Sequence, residues 1–578
     1  MNKKSPKFDA LIIAGGFGTR MSRDFPGVPK PLIPVCDVPI LEYLLYECKA
    51  NGIINILISV YYEKEKIIAY IGDGSRFDLN IDYIIEEEPV GTGGALFLAK
   101  DYLQENFFVL YADVYTKIDF NQIFQFHLRN SADVTCVVHP NDHPSDSDLV
   151  EVNQFDDIIK ILPKNTVRPK FFKNCAVAAL YCFSKNIFKV EVNKLKFDIA
   201  TDLLPKFVLA GLVVKAYHTV EYIKDMGSPN RLSTVESAVR SGIPEARSNN
   251  GERSAVILDR DGTINIDRGY VSRSELLDLV DGAGNAIRAI NCSKHLALCA
   301  TNQPVVARGE VTPDGLTEIH KKLDTQLGQH GAFLDDLIYC PHHPESGFDG
   351  EVKDLKFACN CRKPKSGMLD MYVEKYRLDR RKSIMVGDRF SDIKAADAGC
   401  VNSILLLSGS FNKQIEFVCR PTSFANCLPD ATDWILGCFD DLFNIANDIY
   451  NTRSYSNAAL LLRGESQSNC LSVARILQQH FLPNSIIFDF LGELKVNQGC
   501  KNTTENKILN MSKKFLSSHK IEYNEVVSCH SSDDLWFLPP SELNHSGSII
   551  IPIGGHGEID GLETIMPTYS FEISTVTF

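Results

Sequence analysis

The chain has 578 residues, 44% of them apolar and 23% charged, with a formal net charge of −13. That length exceeds what one hydrophobic core organises and predicts three or four domains. The acidic balance repels phosphate backbones and excludes nucleic-acid binding by bulk charge, while leaving room for local basic pockets that take small phosphates. The 17 cysteines mostly stand singly in apolar runs such as "LYCFS" and "LALCA". That is the pattern of reduced, buried thiols rather than of a secreted disulfide framework. The opening "MNKKSPKFDALIIAGG" lacks the long apolar core of a signal peptide, and no stretch reaches the roughly 18–20 apolar residues of a membrane span. These readings together predict a cytoplasmic protein with no membrane partner.

Residues 1–240 alternate short apolar runs ("ALIIAGG", "INILISV", "FFVLYAD") with helical patterns such as "PILEYLLYECKANG". Alternation of this kind predicts βαβ units and a mostly parallel sheet. The strand in "LIIAGGFGTRM" runs into a Gly-rich turn, where backbone N–H groups can approach a phosphate and Arg20 adds charge. "PGVPKPLIPV" follows with Lys30, then "EEEPVGTGGAL", then "FVLYADV" with Asp113 at a strand end. "YIKDMGSPNRL" places Asp225 before a Gly-Ser-Pro turn.

This series resembles the sugar-1-phosphate nucleotidyltransferases, especially those forming GDP-sugars, the heptose 1-phosphate guanylyltransferases among them. The resemblance implies a Rossmann-like domain in which a sugar 1-phosphate attacks the α-phosphorus of a nucleoside triphosphate, with GTP the expected donor. It implies that Gly15, Gly16, Gly18, Thr19 and Arg20 cradle the triphosphate and that Lys30 neutralises transition-state charge. It places Glu88 and Gly93 at the base and sugar, Lys164 at the sugar phosphate, and Asp113 and Asp225 on Mg²⁺. The chain departs from the family at Pro163-Lys164-Asn165, where Glu-Lys-Pro is usual. It departs again at Ala112 and Ala179, where glycine is common. A GDP-mannose-type enzyme or a nucleotide-sensing domain is the alternative.

Residues 241–254, "SGIPEARSNNGERS", are polar and predict a linker. Residues 255–450 again alternate strands and helices and predict a second α/β sheet. "VILDRDGTIN" puts Asp259 and Asp261 just past a buried strand, two residues apart and so able to enter one site. One carboxylate suits nucleophilic attack on phosphorus and the other suits protonation of the leaving oxygen. Such a pair needs a cation beside a phosphate, and Mg²⁺ is the natural one. "CATNQ" ends another strand with Thr301, a hydroxyl donor. "CRKP" supplies Lys363, and "MVGDRFSDI" supplies Asp388 with Asp392 nearby.

The block resembles the haloacid dehalogenase superfamily, and within it the D-glycero-D-manno-heptose 1,7-bisphosphate phosphatases. The pieces that carry this are "DRDGTIN", "TNQPVVARG", "YCPHHP", "CNCRKPKSGML" and "VGDRFSDIKAADAGC". Histidinol phosphatases share much of the pattern. The resemblance implies Asp259 as nucleophile and Asp261 as acid and base. It puts Asp259, the Asp261 carbonyl and Asp388 on Mg²⁺, and Asn302, Arg362 and Lys363 at the substrate. It also implies a zinc loop with ligands Cys340, His342, Cys359 and Cys361, a C-x-H-x16-C-x-C spacing. Three thiolates and an imidazole suit a closed tetrahedral Zn²⁺ site that orders a loop. His343 is the alternative imidazole.

Residues 456–578 show strand-like runs ("AALLLR", "SIIFDFL", "SIIIPI") and helical patterns, and predict a third α/β segment. "PIGGHGEIDG" holds His556 and reads as a loop. The two resemblances imply consecutive reactions, a 7-phosphate removed and the 1-phosphate then used.

Overall fold

The computed structural model describes residues 7–192, 194–407, 421–441 and 443–444, the strands Ser456–Gly464, Gly547–Gly555 and Phe571–Val576, and a few single residues near 447 and 476–480. The chain divides into two compact units, Met1–Arg362 with Asp370–Asp379, and Lys363–Leu369 with Arg380–Phe578.

The first unit opens on a nine-stranded sheet. Strand Phe8–Ile13 lies at its middle, parallel to Asn55–Val60 on one side and to Leu103–Tyr111 on the other. Its side chains alternate between faces. Ala10 and Ile12 enter one buried cluster and Leu11 the other, so both faces are covered. Each fully buried aliphatic side chain contributes about 1.5–3 kcal/mol, which holds the central strand where its carboxyl end opens on the Gly-rich turn. The sheet is mixed rather than mostly parallel. Ala176–Ser184 runs antiparallel to both Leu103–Tyr111 and Val134–His139. A separate ribbon pairs Val114–Lys117 with Tyr222–Asp225, opposing Val114 to Asp225.

The polar stretch 241–254 folds. Gly242, at φ +69°, starts the helix Ile243–Arg247, and Ile243 is buried. The buried Arg247 guanidinium donates to the His295 carbonyl at 2.7 Å and to Asp335 at 3.4 Å. The buried Arg253 donates to the carbonyls of Arg247 and Tyr376 at 2.8 and 3.0 Å. Two long cations thus satisfy buried backbone oxygens, which a count of polar residues does not foresee. Strands Ser254–Leu258, His295–Asn302 and Asp336–Cys340 follow as a parallel set with their carboxyl ends aligned.

The second unit has its own parallel set, Ile384–Gly387, Asn402–Leu406 and Ser423–Ala425. Further along, Ser456–Gly464 pairs antiparallel with Gly547–Gly555 and Phe571–Val576. The runs "AALLLR" and "SIIIPI" are therefore strands. "SIIFDFL", the C-terminal helical patterns and His556 lie outside the described residues. Among the described residues, no helix is long and apolar enough to cross a membrane.

Candidate active sites

Asp113 lies just past the strand Leu103–Tyr111, and Asp225 ends its ribbon strand opposite Val114. The Met226 N–H donates to the Asp113 carbonyl at 3.0 Å, which brings the two carboxylates to one place. Lys30 forms an ion pair with Asp113. Arg20, Lys30, Asp113, Lys164 and Asp225 all line one cavity of about 650 Å³. Gly15, Gly16, Gly18, Thr19, Glu88 and Gly93 are not among its lining residues.

The glycines nonetheless have physical reasons. A Cβ on Gly15 would stand 2.6 Å from Glu86 Oε1, and Gly18 sits at φ +60°. Glu86 is buried and accepts from Ser59 Oγ at 2.7 Å, whereas Glu88 is exposed. Glu86 is therefore the acidic residue of "EEE" that packs under the Gly-rich turn. Gly93 lies in the helix Gly91–Leu98, donates to the Phe197 carbonyl at 2.9 Å, and leaves room for the Phe197 ring, which a Cβ would meet at 2.4 Å.

Two features of this cavity were not foreseen. Arg231 Nη1 bonds both oxygens of Asp225, at 2.7 and 2.8 Å. Burial pushes the Asp225 carboxyl up, and the Arg231 guanidinium more than offsets it, so the group titrates below its ordinary value. His143 Nδ1 pairs with Asp142 at 2.6 Å, Asp142 pairs with Lys224 at 2.6 Å, and His143 Nε2 lies 3.8 Å from Asp225. Ala179, also on the cavity wall, has φ +54°, the left-handed region that favours glycine. It falls where the register of its strand against Val134–His139 shifts between Val177 and Tyr181.

The carboxyl end of strand Ser254–Leu258 carries Asp259, Arg260 and Asp261. Asp259 is buried. Arg260 is fully buried and reaches Asp261 at 2.9 Å and Gln303 Oε1 at 3.0 Å. Asp261 also accepts from Gln303 Nε2 at 2.7 Å and Asn265 Nδ2 at 3.0 Å. Three donors thus fix the orientation of this carboxyl. Thr301, at the end of the neighbouring strand, is buried and accepts from Gln303 Nε2 at 2.9 Å. Gln303 ties Asp261 to Thr301; its presence in "TNQ" was visible, its role was not. Asn302 ends the same strand.

Cys340, His342, Cys359 and Cys361 gather with all four donor atoms within 4.8 Å of one another. The sulfur separations are 3.5, 3.4 and 3.3 Å, and His342 Nδ1 lies 3.6 Å from Cys340 and 3.3 Å from Cys361. A tetrahedron of Zn–S bonds of ~2.3 Å has edges of about 3.8 Å, so this donor set fits Zn²⁺ with a small expansion. The Arg362 N–H donates to Cys359 Sγ at 3.3 Å, and its guanidinium donates to the His342 carbonyl at 3.3 Å. His343 turns away: its ring accepts from the Glu345 N–H at 3.2 Å and packs edge-on to Phe348. The imidazole of the cluster is His342.

In the second unit, Asp388 follows strand Ile384–Gly387 and is fully buried. Lys363 and Asp392 form a buried ion pair at 2.7 Å. Asp392 also accepts from the Arg389 N–H at 3.1 Å, capping the helix Phe390–Ala398. Its carboxylate lies over Gly387, whose Cβ would be 2.2 Å from Asp392 Oδ2.

A family model described as nucleotidyl transferase matches residues 9–242, and one described as HAD-hydrolase-like matches residues 360–431. The D-glycero-beta-D-manno-heptose-1,7-bisphosphate 7-phosphatase of Haemophilus influenzae is 40% identical over 141 residues, 24% of this chain and 74% of that protein. The protein of the same description from Escherichia coli K12 is 34% identical over 190 residues, 32% of this chain and 91% of that one. Among solved structures, HddC from Yersinia pseudotuberculosis matches with TM-score 0.36 and 27% identity, covering 40% of this chain and 99% of that one.

Proposed function

Because the chain belongs to the D-glycero-β-D-manno-heptose-1,7-bisphosphate 7-phosphatase family and joins a nucleotidyltransferase domain to that HAD-type domain, we propose that it performs two consecutive steps of nucleotide-activated heptose synthesis. The first is removal of the 7-phosphate from the heptose 1,7-bisphosphate. The second is transfer of GMP from GTP to the sugar 1-phosphate that remains.

For the phosphatase step, Asp259 attacks the 7-phosphorus and the phosphorus–O7 bond breaks as an aspartyl-phosphate forms. Asp261 delivers a proton to O7 and then takes one from the water that hydrolyses the aspartyl-phosphate. Arg260, Gln303 and Asn265 hold Asp261 for both transfers. Mg²⁺ on Asp259, the Asp261 carbonyl and Asp388 would supply the charge neutralisation that two carboxylates beside a phosphate require. Thr301 and Asn302 donate to phosphate oxygens, and Lys363 opposes the developing charge, positioned by Asp392. Zn²⁺ on Cys340, His342, Cys359 and Cys361 would order the loop that ends in Arg362, whose backbone and guanidinium are both tied to that cluster.

In the transferase step, an oxygen of the sugar 1-phosphate bonds to the α-phosphorus of GTP and pyrophosphate leaves. Arg20 and Lys30 oppose the charge on the triphosphate. Asp113 and Asp225 would hold Mg²⁺, and Lys164 would face the acceptor.

The observation that supports this reading most is the buried Asp259 with Asp261 fixed by three donors at one strand end, in a chain of which 141 residues are 40% identical to a heptose bisphosphatase. Asp259→Asn is the test: phosphate release from heptose 1,7-bisphosphate should vanish, and unchanged release would remove Asp259 as nucleophile. Exchange of labelled pyrophosphate into GTP with the heptose 1-phosphate present tests the transferase half separately.

A further inference from the structure

The cavity that holds Arg20, Lys30, Asp113 and Asp225 is not closed by residues 1–240 alone. Its lining also includes Arg288 and Cys292, from and just after the helix Ala283–Asn291, and Phe333. These residues come from the block that carries the phosphatase motifs. The same block is bonded directly to the loop that follows strand Ile158–Leu162 and bears Lys164. The Phe172 N–H donates to Thr325 Oγ1 at 3.0 Å, and the Asn174 N–H donates to Asp324 at 3.1 Å. Gly328 leaves room for Pro144, whose Cγ a Cβ there would meet at 2.6 Å.

The charges on the wall are unevenly committed. Lys30, Lys224 and Arg231 are ion-paired with Asp113, Asp142 and Asp225. Arg20, Lys164 and Arg288 line the cavity with no ion-pair partner among the described residues. Arg20 stands on the Gly-rich turn, Lys164 just past the strand Ile158–Leu162, and Arg288 is an exposed side chain on the phosphatase-block helix. An unpaired guanidinium on the wall of a pocket suits a phosphoryl group, which it binds with paired, directional donors.

We propose that Arg288 is a specificity-determining residue of the transferase pocket, lent by the phosphatase block to bind the anionic group of a sugar phosphate acceptor. The inference rests on the reading of this cavity as the transferase site. On this account the acceptor half of the pocket is incomplete without the second block, which gives a physical reason for the two blocks to share one chain.

Cys292 provides a local reporter, since it is an exposed free thiol on the same wall, four residues from Arg288. The experiment follows alkylation of Cys292 by iodoacetamide in the full chain, by peptide mass spectrometry, with and without D-mannose 1-phosphate as probe. Wild type should be protected about fivefold, Arg288→Ala should lose that protection, and Arg288→Lys should recover part of it. Arg288 is exposed, so the thermal melt of each variant should match wild type and exclude unfolding as the cause. Unprotected Cys292 in wild type, or equal protection in Arg288→Ala, overturns the proposal. Exchange of labelled pyrophosphate into GTP, with GTP and the heptose 1-phosphate added to the same variants, reads the transferase assignment by itself. Arg288-dependent protection without exchange would sink that assignment and leave the anion site standing.

Discussion

Arg231 Nη1 holds both carboxylate oxygens of Asp225, at 2.7 and 2.8 Å, where a divalent cation is expected to bind. The pair contributes a charge-assisted bond worth ~1.5–3 kcal/mol, and a metal ion must compete with it. Arg231→Ala should therefore lower the Mg²⁺ concentration that half-saturates pyrophosphate release by about tenfold, a factor equal to ~1.4 kcal/mol. The Mg²⁺ dependence of phosphate release should not move. An unchanged transferase Mg²⁺ curve would mean that Asp225 does not hold the ion.

Ala179 occupies a left-handed backbone position on the wall of the same cavity. An L-residue pays ~1–2 kcal/mol there, and glycine avoids it. Ala179→Gly should raise the unfolding free energy by about 1 kcal/mol in denaturant titration. A loss of stability would show that the methyl group contributes more by packing than it costs in strain.

The buried pair Lys363–Asp392 has an internal control in Gly387. Removing Lys363 leaves Asp392 as an unpaired buried charge, which costs about 3–5 kcal/mol. Lys363→Ala should abolish phosphate release and lower stability together, while Lys363→Ala with Asp392→Asn should regain stability without activity. Gly387→Ala pushes a methyl group into Asp392 Oδ2 and should reduce phosphate release with Lys363 still present. Full activity in Gly387→Ala would mean that the position of Asp392 is immaterial.

Much of this arrangement was legible as residue type after residue type at strand ends. Asp113, Asp259, Thr301 and Asp388 all stand at the carboxyl end of a buried strand, as apolar runs capped by polar residues imply. The Cys/His spacing gave the four-residue cluster, and geometry chose His342 over His343. What sequence could not give are partners set by tertiary packing. Arg231 lies six residues past Asp225 across a turn, and nothing in "GSPNRL" says that the guanidinium folds back. Glu86 rather than Glu88 is buried because the strand Asn80–Ile85 ends just before it. Arg247 and Arg253 fall in the stretch that reads as a linker, yet their guanidinium groups satisfy backbone oxygens that the fold buries. Arg288 lines the cavity of Arg20 and Asp113 only because a helix far along the chain packs beside it.

The zinc cluster has a separable consequence. Cys359→Ser removes a ligand and the sulfur that accepts from the Arg362 N–H. Zinc content, measured by atomic absorption, should fall, and phosphate release should fall at least about tenfold, in the range seen when a partner that orients a metal site is lost. The Mg²⁺ dependence of the remaining activity should persist. A zinc-free variant with full activity would remove the loop-ordering role.

Glu221 links Asp119 and Asn249 through their N–H groups at 3.3 and 2.9 Å, with Arg253 3.9 Å away. Burial raises its carboxyl from 4.5 to about 7, so the fold favours the protonated form. Its contribution to stability is fully present below pH 4.5 and is lost as pH rises through about 7. Wild type should lose ~3 kcal/mol relative to Glu221→Gln between the acid and alkaline sides of that window. Parallel pH profiles for the two proteins would contradict this.

A chain that carries heptose 1,7-bisphosphate to a nucleotide sugar releases phosphate and pyrophosphate in one sample. Phosphorus NMR of the full chain with D-glycero-D-manno-heptose 1,7-bisphosphate, GTP and Mg²⁺ follows both steps at once. The 7-phosphate signal should give way to inorganic phosphate first, and pyrophosphate and a GDP-sugar diester should then grow in together. A 7-phosphate signal that persists, or a 1-phosphate that accumulates beside untouched GTP, would contradict it.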